Sequence, residues 1–376
     1  MKIALVSPYD FTWPGGVTAH ISQLSNQLIG MGHYVKILAP FSPSRADDLD
    51  QNFVPLGRAV PIPSGGSIAR ISLSVWLYRR VRRLLEDENF DIIHLHEPLA
   101  PYLPLAVLQS SKSVNIGTFH AFHGSNRWYR WSCPVLKHWF KRLDGLIAVS
   151  PAAQSHVGQF FPGEYRLIPN GVDLSLFSDD VPPLAEYLDG KINILFVGRL
   201  EKRKGLRYLL EAYSCLKWDF PNTRLIVVGP GSLDKSCYRI LAERNIQDVV
   251  FAGVVHRQLL PRYYRTADIF CSPATGKESF GIVLLEAMAA AKPIVASHIE
   301  GYSYILSHGQ QGLLVPPKDS DALAQALVSL IQNPELRKNM GNRGRVAVNA
   351  YSWTTVAQRV VDFYRLTLEE VNGSKA

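Results

Sequence analysis

The stretch INILFVGRLEKRKGLRYLLEA, residues 192–212, contains the building unit of the fold. In INILFV only Asn193 is polar, so both faces of an extended chain would carry apolar side chains. A strand covered on both faces belongs to a parallel sheet with helices on each side. The charged loop GRLEKRKG follows, then LRYLLEAYSCLKWDF, whose leucines and aromatic residues recur at helical spacing. Strand, loop and helix form a βα unit, and its next strand should lie parallel.

The alternation runs the length of the chain. KIALVS, YVKILAP, DIIHLH, VNIGTFH, DGLIAVS and YRLIPN read as strands in the first half, and INILFVG, TRLIVVG, DVVFAG, DIFCSP, PIVAS and GLLVPP in the second. Helical patterns such as VTAHISQLSNQLIGMG and DALAQALVSLIQNPELRKNMG lie between them. Twelve strands are many for one open sheet. The expected fold is α/β, with two Rossmann-like, doubly wound parallel-sheet domains of about six strands each. The polar, proline-bearing stretch at 172–191 marks the boundary, giving an N-terminal domain over 1–172 and a C-terminal domain over 190–352. A helix over 353–370 follows the last strand and is a candidate to cross back onto the first domain. Ligands of such folds bind at the carboxyl ends of the strands, so the expected site is a cleft between the two domains.

Composition narrows the function classes. With 47% apolar and 19% charged residues among 376, the chain is globular rather than disordered. Cys133, Cys215, Cys237 and Cys271 lie far apart with no C-x-x-C, which points to a reduced, intracellular protein without structural metal or disulfides. The apolar run in MKIALVSPYD is too short for a signal peptide, and no run reaches the roughly 18 residues of a membrane span. Lysine and arginine outnumber aspartate and glutamate 40 to 32, a formal charge of +8. Such a surface suits an anionic partner: nucleic acid, phosphorylated substrate or acidic lipid.

Five segments carry candidate chemistry. In SPYDFTWPGGV, residues 7–17, Gly15 and Gly16 let backbone approach a ligand just before a helix N-terminus. Arg199 and Lys204 fall in the loop after a strand, where cations can hold a diphosphate. Lys202 and Arg203 read as hydrated charges, with Glu201 answering one of them. In TGKESFGIVLLEAMAAAKPIV, residues 275–295, Glu278 precedes a helix starting near Gly281, and Glu286 lies more than a turn inside it. A carboxylate so near buried residues needs a partner or a ligand. His120 closes a strand, where a catalytic or sugar-binding histidine would sit, while His94 and His96 share a strand face without a third ligand at metal-like spacing. Each has a bland counterpart: turn glycines, a solvated charge run, a helix-interior glutamate. The fifth segment, SLSVWLYRRVRRLLEDE, sets Trp76, Leu77, Val81, Leu84 and Leu85 beside Arg79, Arg80, Arg82 and Arg83, a pattern suited to anionic lipid or to an ordinary surface helix. Nucleic acid is the alternative partner for RRVRR, but no helix-turn-helix, RNP or zinc pattern accompanies it, so none is expected.

GGV near the start, TFH, GR…KRKG and ESFGIVLLEAMA occur in an order that resembles the retaining, nucleotide-sugar-dependent glycosyltransferases of GT-B fold and GT4 type. The family signature is a glutamate, seven residues and a second glutamate. Within it, PYDFTWPGGVTAHISQL, GRAVPIPSGGSIAR and TGKESFGIVLLEAMAAAKPIVAS are most similar to the phosphatidylinositol alpha-mannosyltransferases. The resemblance implies a hexose donor, GDP-mannose, as co-substrate, with no further cofactor and no metal. Arg199 and Lys204 would hold its diphosphate, Glu278 the hexose and Glu286 the ribose, alongside Gly16, Phe280, Gly281 and Ile282. His120 would face the sugar. Arg70, with Gly16 and Asp10, would serve a phosphatidylinositol-type lipid acceptor. Trp76 and Arg79, Arg80, Arg82 and Arg83 would touch an anionic phospholipid surface, which places the enzyme in the cytoplasm, peripheral to the inner face of the membrane. A different donor, with a glycolipid, diacylglycerol or soluble acceptor, is the alternative within the family.

Overall fold

The computed structural model describes residues 1–13, 15–42, 52–64, 67–72, 77–120 and 126–373. The chain divides into two compact units, Met1–Asn170 with Trp353–Ala376, and Gly171–Ser352.

The sheet of the first unit contains β1 (Lys2–Val6), β2 (Tyr34–Phe41), β3 (Phe53–Ser64), β4 (Ser67–Ser72), β5 (Ile92–His96), β6 (Val114–Phe119), β7 (Gly145–Ala148) and β8 (Tyr165–Leu167). Their order across the sheet is β4-β3-β2-β1-β5-β6-β7-β8. Every neighbouring pair is parallel except β3 and β4, which form an antiparallel hairpin. The other six strands match the sequence expectation. The hairpin enlarges the sheet and was hidden because prolines 55, 61 and 63 interrupt the strand pattern; prolines are tolerated near a sheet edge. Its last strand also bridges back to the loop after β1, Ile71 with Tyr9.

The second unit has six parallel strands, β9 (Ile192–Val197), β10 (Thr223–Val228), β11 (Val249–Gly253), β12 (Ile269–Ser272), β13 (Ile294–Ser297) and β14 (Gly312–Val315), in the order β11-β10-β9-β12-β13-β14. Both sheets are doubly wound. Strand order reverses between β1 and β5 in the first and between β9 and β12 in the second. Loops leaving the carboxyl ends of strands at such a reversal turn to opposite faces and open a crevice, where these folds bind ligands. Asp10 and Gly16 follow β1, Arg199 and Lys204 follow β9, and Glu278 follows β12.

One helical expectation splits. DALAQALVSLIQNPELRKNMG forms two helices, Ser320–Gln332 and Pro334–Ala347, because Pro334 has no N–H to continue the first. Asn333 caps the second, its Oδ1 accepting from Leu336 N at 3.0 Å.

Helix Trp353–Gly373 lies in the first unit, where Trp353, Val356, Val360 and Tyr364 join Ile3, Leu5, Ile21, Ile92 and Ile116 in one core. A buried polar contact locks it: His94 Nδ1 hydrogen-bonds Tyr364 Oη at 2.7 Å, and His94 Nε2 meets Thr118 Oγ1 at 2.6 Å. Burial pushes the His94 imidazole down to about 3, so it stays neutral and uses one nitrogen as donor and one as acceptor. Tyr364→Phe strands one of those nitrogens in the core and should cost about 1–3 kcal/mol. A lower urea midpoint, with reduced hydrogen-exchange protection in helix Trp353–Gly373, is the expected result.

Candidate active site

At the reversal point of the second unit, two loops interlock. Gly205 ends the charged loop at φ +74°, and a Cβ there would lie 1.8 Å from the Pro273 carbonyl oxygen. That contact fixes Lys202–Lys204 against the loop after β12, helped by Thr275 N donating to Arg203 O at 2.8 Å. The result is a compact charge cluster. Glu278 Oε1 pairs with the Arg203 guanidinium and, at 2.8 Å, with Lys204 Nζ. Glu201 takes Arg203 Nε at 2.8 Å on one oxygen and Arg199 at 3.1 Å on the other.

The structure therefore corrects one sequence reading. Arg203 is not a hydrated surface charge; it joins both glutamates and has less exposure than Arg199, 22% against 48%. Its neighbours in the loop are all charged, so nothing in the local pattern distinguished it. Glu278 keeps only 10% exposure, and both of its cations fall on Oε1, leaving Oε2 unclaimed among the described residues.

Gly281 begins helix Ile282–Ala289 in a left-handed conformation, with no side-chain cap. Its first N–H groups remain available to an anion. Phe280 is buried beside it, and Ile282 is partly exposed. One turn inside, Glu286 Oε2 accepts from Tyr264 Oη at 2.6 Å. Desolvation raises the Glu286 carboxyl to about 7, with the tyrosine bond and Arg257 opposing it. Tyr264 was not foreseen, because its spacing reads as ordinary core.

In the first unit, helix Gly16–Gly30 also starts without a side-chain cap, and a Cβ at Gly16 would meet nothing within 4 Å. Backbone there is open to a ligand. Asp10 is buried, Oδ1 accepting from Thr12 Oγ1 at 2.7 Å and Oδ2 from Ser42 Oγ at 2.5 Å. Its carboxylate thus ties down the loop after β1. Arg70 lies over the Trp13 ring, 3.6 Å from its centroid, and its carbonyl accepts from Asp10 N at 2.8 Å. The stacked guanidinium is positioned by an aromatic face the sequence did not single out.

His120 sits within a set of buried imidazoles. Its Nε2 meets His96 Nδ1 at 2.9 Å, and its backbone N donates to Glu97 Oε1 at 2.7 Å. His20, from the first helix, lies 4.8 Å from it, ring centroid to centroid. His20 thus joins His96 and His120 from a helix far away in the chain, while His94, the other histidine of the strand pair, has both nitrogens held by Tyr364 and Thr118. Nitrogens of His20, His96 and His120 lie within 4.8 Å of one another, the geometry of a possible ion site among the described residues. A cation would have to replace the His96–His120 hydrogen bond. Burial depresses all three imidazoles, His20 to about 4, so they are neutral around pH 7.

Trp76 lies outside the described residues. In helix Leu77–Glu88, Arg79, Arg80, Arg82 and Arg83 are exposed, and Arg82 pairs with Glu86 at 2.9 Å. Leu77, Val81 and Leu85 face the core of the unit. They cannot also enter a lipid interface, which leaves the arginines and the exposed Tyr78 of this helix to meet one.

Comparison with known proteins shows the family. A model described as Glycosyl transferases group 1 matches residues 185–347, and one described as Glycosyltransferase Family 4 matches 14–176. The chain belongs to the family 4, group 1 glycosyltransferases. It is accordingly a nucleotide-sugar-dependent transferase. A Mycobacterium leprae protein named phosphatidyl-myo-inositol mannosyltransferase is 38% identical over all of this chain and 99% of its own. One of the same name from Propionibacterium freudenreichii is 32% identical, covering 97% of this chain and 94% of its own. Sucrose-phosphate synthase from Thermosynechococcus elongatus shares the fold with a TM-score of 0.77, 24% identity and coverage of 97% and 98%. Anabaena HepE, in complex with UDP and glucose, does so at 0.76, with 20% identity and coverage of 96% and 98%.

The interlock has a direct test. Gly205→Ala combines a positive φ with a backbone collision and should cost about 2–4 kcal/mol. Gly276→Ala, also at positive φ but with nothing within 4 Å of the new Cβ, should cost only about 1–2 kcal/mol. Urea unfolding of the pair checks the ranking.

Proposed function

We propose that this enzyme transfers mannose from GDP-mannose to a phosphatidylinositol acceptor, with retention of the alpha configuration. The chemical reading rests on the Arg203–Glu278–Lys204 cluster beside an uncapped helix start. The choice of sugar and acceptor rests on the names of the full-length relatives.

Arg199 and Lys204 hold the donor diphosphate, with the N–H groups at Gly281 and Ile282. These charges stabilise the phosphate oxygen as the bond to the anomeric carbon breaks, an effect worth roughly 3–4 kcal/mol per donor group. Glu278 accepts from hexose hydroxyls through its unclaimed oxygen. Arg203 and Lys204 keep that carboxylate aimed. Phe280 backs the loop, and Glu286 accepts from the ribose. The acceptor hydroxyl attacks on the face the diphosphate leaves, and its proton passes to the departing phosphate oxygen. His120 faces the sugar, Gly16 leaves room at the first helix, and Arg70, braced on Trp13, takes the acceptor phosphate. Among the described residues no helix is long and apolar enough to cross a membrane. Arg79, Arg80, Arg82 and Arg83 draw the enzyme to anionic lipid at the inner face of the membrane, each contributing about 1 kcal/mol near the surface.

An acceptor panel of phosphatidylinositol, diacylglycerol and free inositol, run with GDP-mannose and UDP-glucose, tests the assignment. The expected winner is GDP-mannose with phosphatidylinositol, giving an alpha product by NMR and full activity in EDTA. Glu278→Gln should lower transfer about 100-fold or more while GDP still binds; Arg199→Ala should weaken both. Faster turnover of UDP-glucose or free inositol would replace the donor or acceptor reading.

The raised Glu286 carboxyl gives a pH signature. Ribose hydroxyls donate to the ionised form, so binding must remove the proton that burial favours. GDP affinity should be full above about 7 and fall as pH drops below it. Glu286→Gln should flatten that part of the profile in calorimetry across this range.

A further inference from the structure

The second unit contains a groove of about 840 Å³ whose lining shares Glu201 and Arg203 with the charge cluster at Glu278 and otherwise consists of residues the donor reading does not use. Four loops line it: the one after β9, the one after β10, the one after β12, and Lys318 beyond β14. Neither Arg199 nor Lys204 belongs to its lining. Six basic side chains do: Lys202, Arg203, Arg207, Lys235, Lys277 and Lys318.

Little negative charge answers them. The acidic residues in the lining are Glu201 and Asp234. Glu201 is taken by Arg199 and Arg203. Asp234 caps helix Lys235–Glu243, accepting from Ser236 Oγ at 2.5 Å and Cys237 N at 2.9 Å. Arg203 is matched by Glu278, and Arg207 by Glu211 at 2.9 Å. Lys202, Lys235, Lys277 and Lys318 have no carboxylate partner among the described residues. Four cations around one concavity repel one another and raise the local potential for an anion.

Backbone conformation adds a second observation. Lys277 and Lys318 have φ of +61° and +65°, where a side chain is rarely found. Both occur in loops that line this groove. Leu200, Leu206, Leu233 and Tyr208 add apolar surface to the lining. The volume falls within the range of small-ligand sites, and the charge exceeds what one carboxylate would neutralise.

We propose that this groove is a second anion site, for a compact ligand bearing two or more phosphate groups, either free or as a phospholipid headgroup. It does not depend on the choice of mannose or phosphatidylinositol. The test uses the full chain with saturating GDP, so that the nucleotide site is filled, and titrates inorganic tripolyphosphate by calorimetry. One further saturable site is expected. The double variant Lys235→Gln, Lys318→Asn should bind at least about tenfold more weakly, since two charged contacts are lost. Asparagine tolerates the left-handed backbone at position 318, and an unchanged melting temperature confirms folding. Lys141→Gln with Lys338→Gln, equal in net charge and outside the groove, should leave binding intact. Absence of the second site under GDP, or equal weakening in both double variants, would overturn the proposal. Flotation with phosphatidylcholine vesicles containing phosphatidylinositol bisphosphate distinguishes the sources. Loss of flotation in the groove variant alone identifies a lipid headgroup; unchanged flotation with weakened tripolyphosphate binding identifies a soluble anion.

Discussion

A carboxylate held by cations from another strand's loop is the contact on which the rest of the second unit's site depends. Glu278 follows β12, while Arg203 and Lys204 follow β9, and the two strands are neighbours only because the sheet reverses its order there. The attraction alone would not place them. Gly205 brings backbone against Pro273 so closely that no side chain fits, and the ion pairs form across that seam. A partly buried ion pair is weak evidence for stability, since desolvation offsets much of the Coulombic gain. Its value here is orientation: Glu278 with one oxygen occupied presents the other in a defined direction.

The first unit organises its polar groups differently. Its imidazoles are buried and neutral, some of their nitrogens bonded to one another or to hydroxyls, as in the His96–His120 and His94–Tyr364 contacts, while His20 Nδ1 and His96 Nε2 lack a partner among the described residues. The same set joins the carboxyl ends of β5 and β6 to the helix that returns from the end of the chain. His20 sits one turn inside the helix that begins at Gly16, with its ring 4.9 Å from that of Trp353. Loosening helix Trp353–Gly373 would therefore be felt at His120, through packed rings rather than through charge.

Much of the architecture was legible because parallel α/β units write themselves as apolar strands separated by amphipathic helices. INILFV and KIALV are apolar on both faces, and both became interior strands. The β3–β4 hairpin was missed, since prolines and glycines break the alternation that marks a strand. Arg203 was misread among four consecutive charged residues, where only distance to Glu278 separates a partner from a solvated side chain. Leu77, Val81 and Leu85 were read toward lipid, yet helical periodicity states only that they share a face, not which surface that face meets.

Local sequence thus determined the strands, the helices, the uncapped helix starts and the placing of charged loops after particular strands, because these follow from side-chain period and backbone preference over a few residues. Tertiary structure decided which of those charges are paired, which histidines meet and which apolar face is already occupied. Such outcomes depend on distances between segments far apart in the chain: Arg203 and Glu278 are 75 residues apart, and His94 and Tyr364 are 270. Strand order in the second sheet brings the first pair together, and packing of helix Trp353–Gly373 on the first unit brings the second.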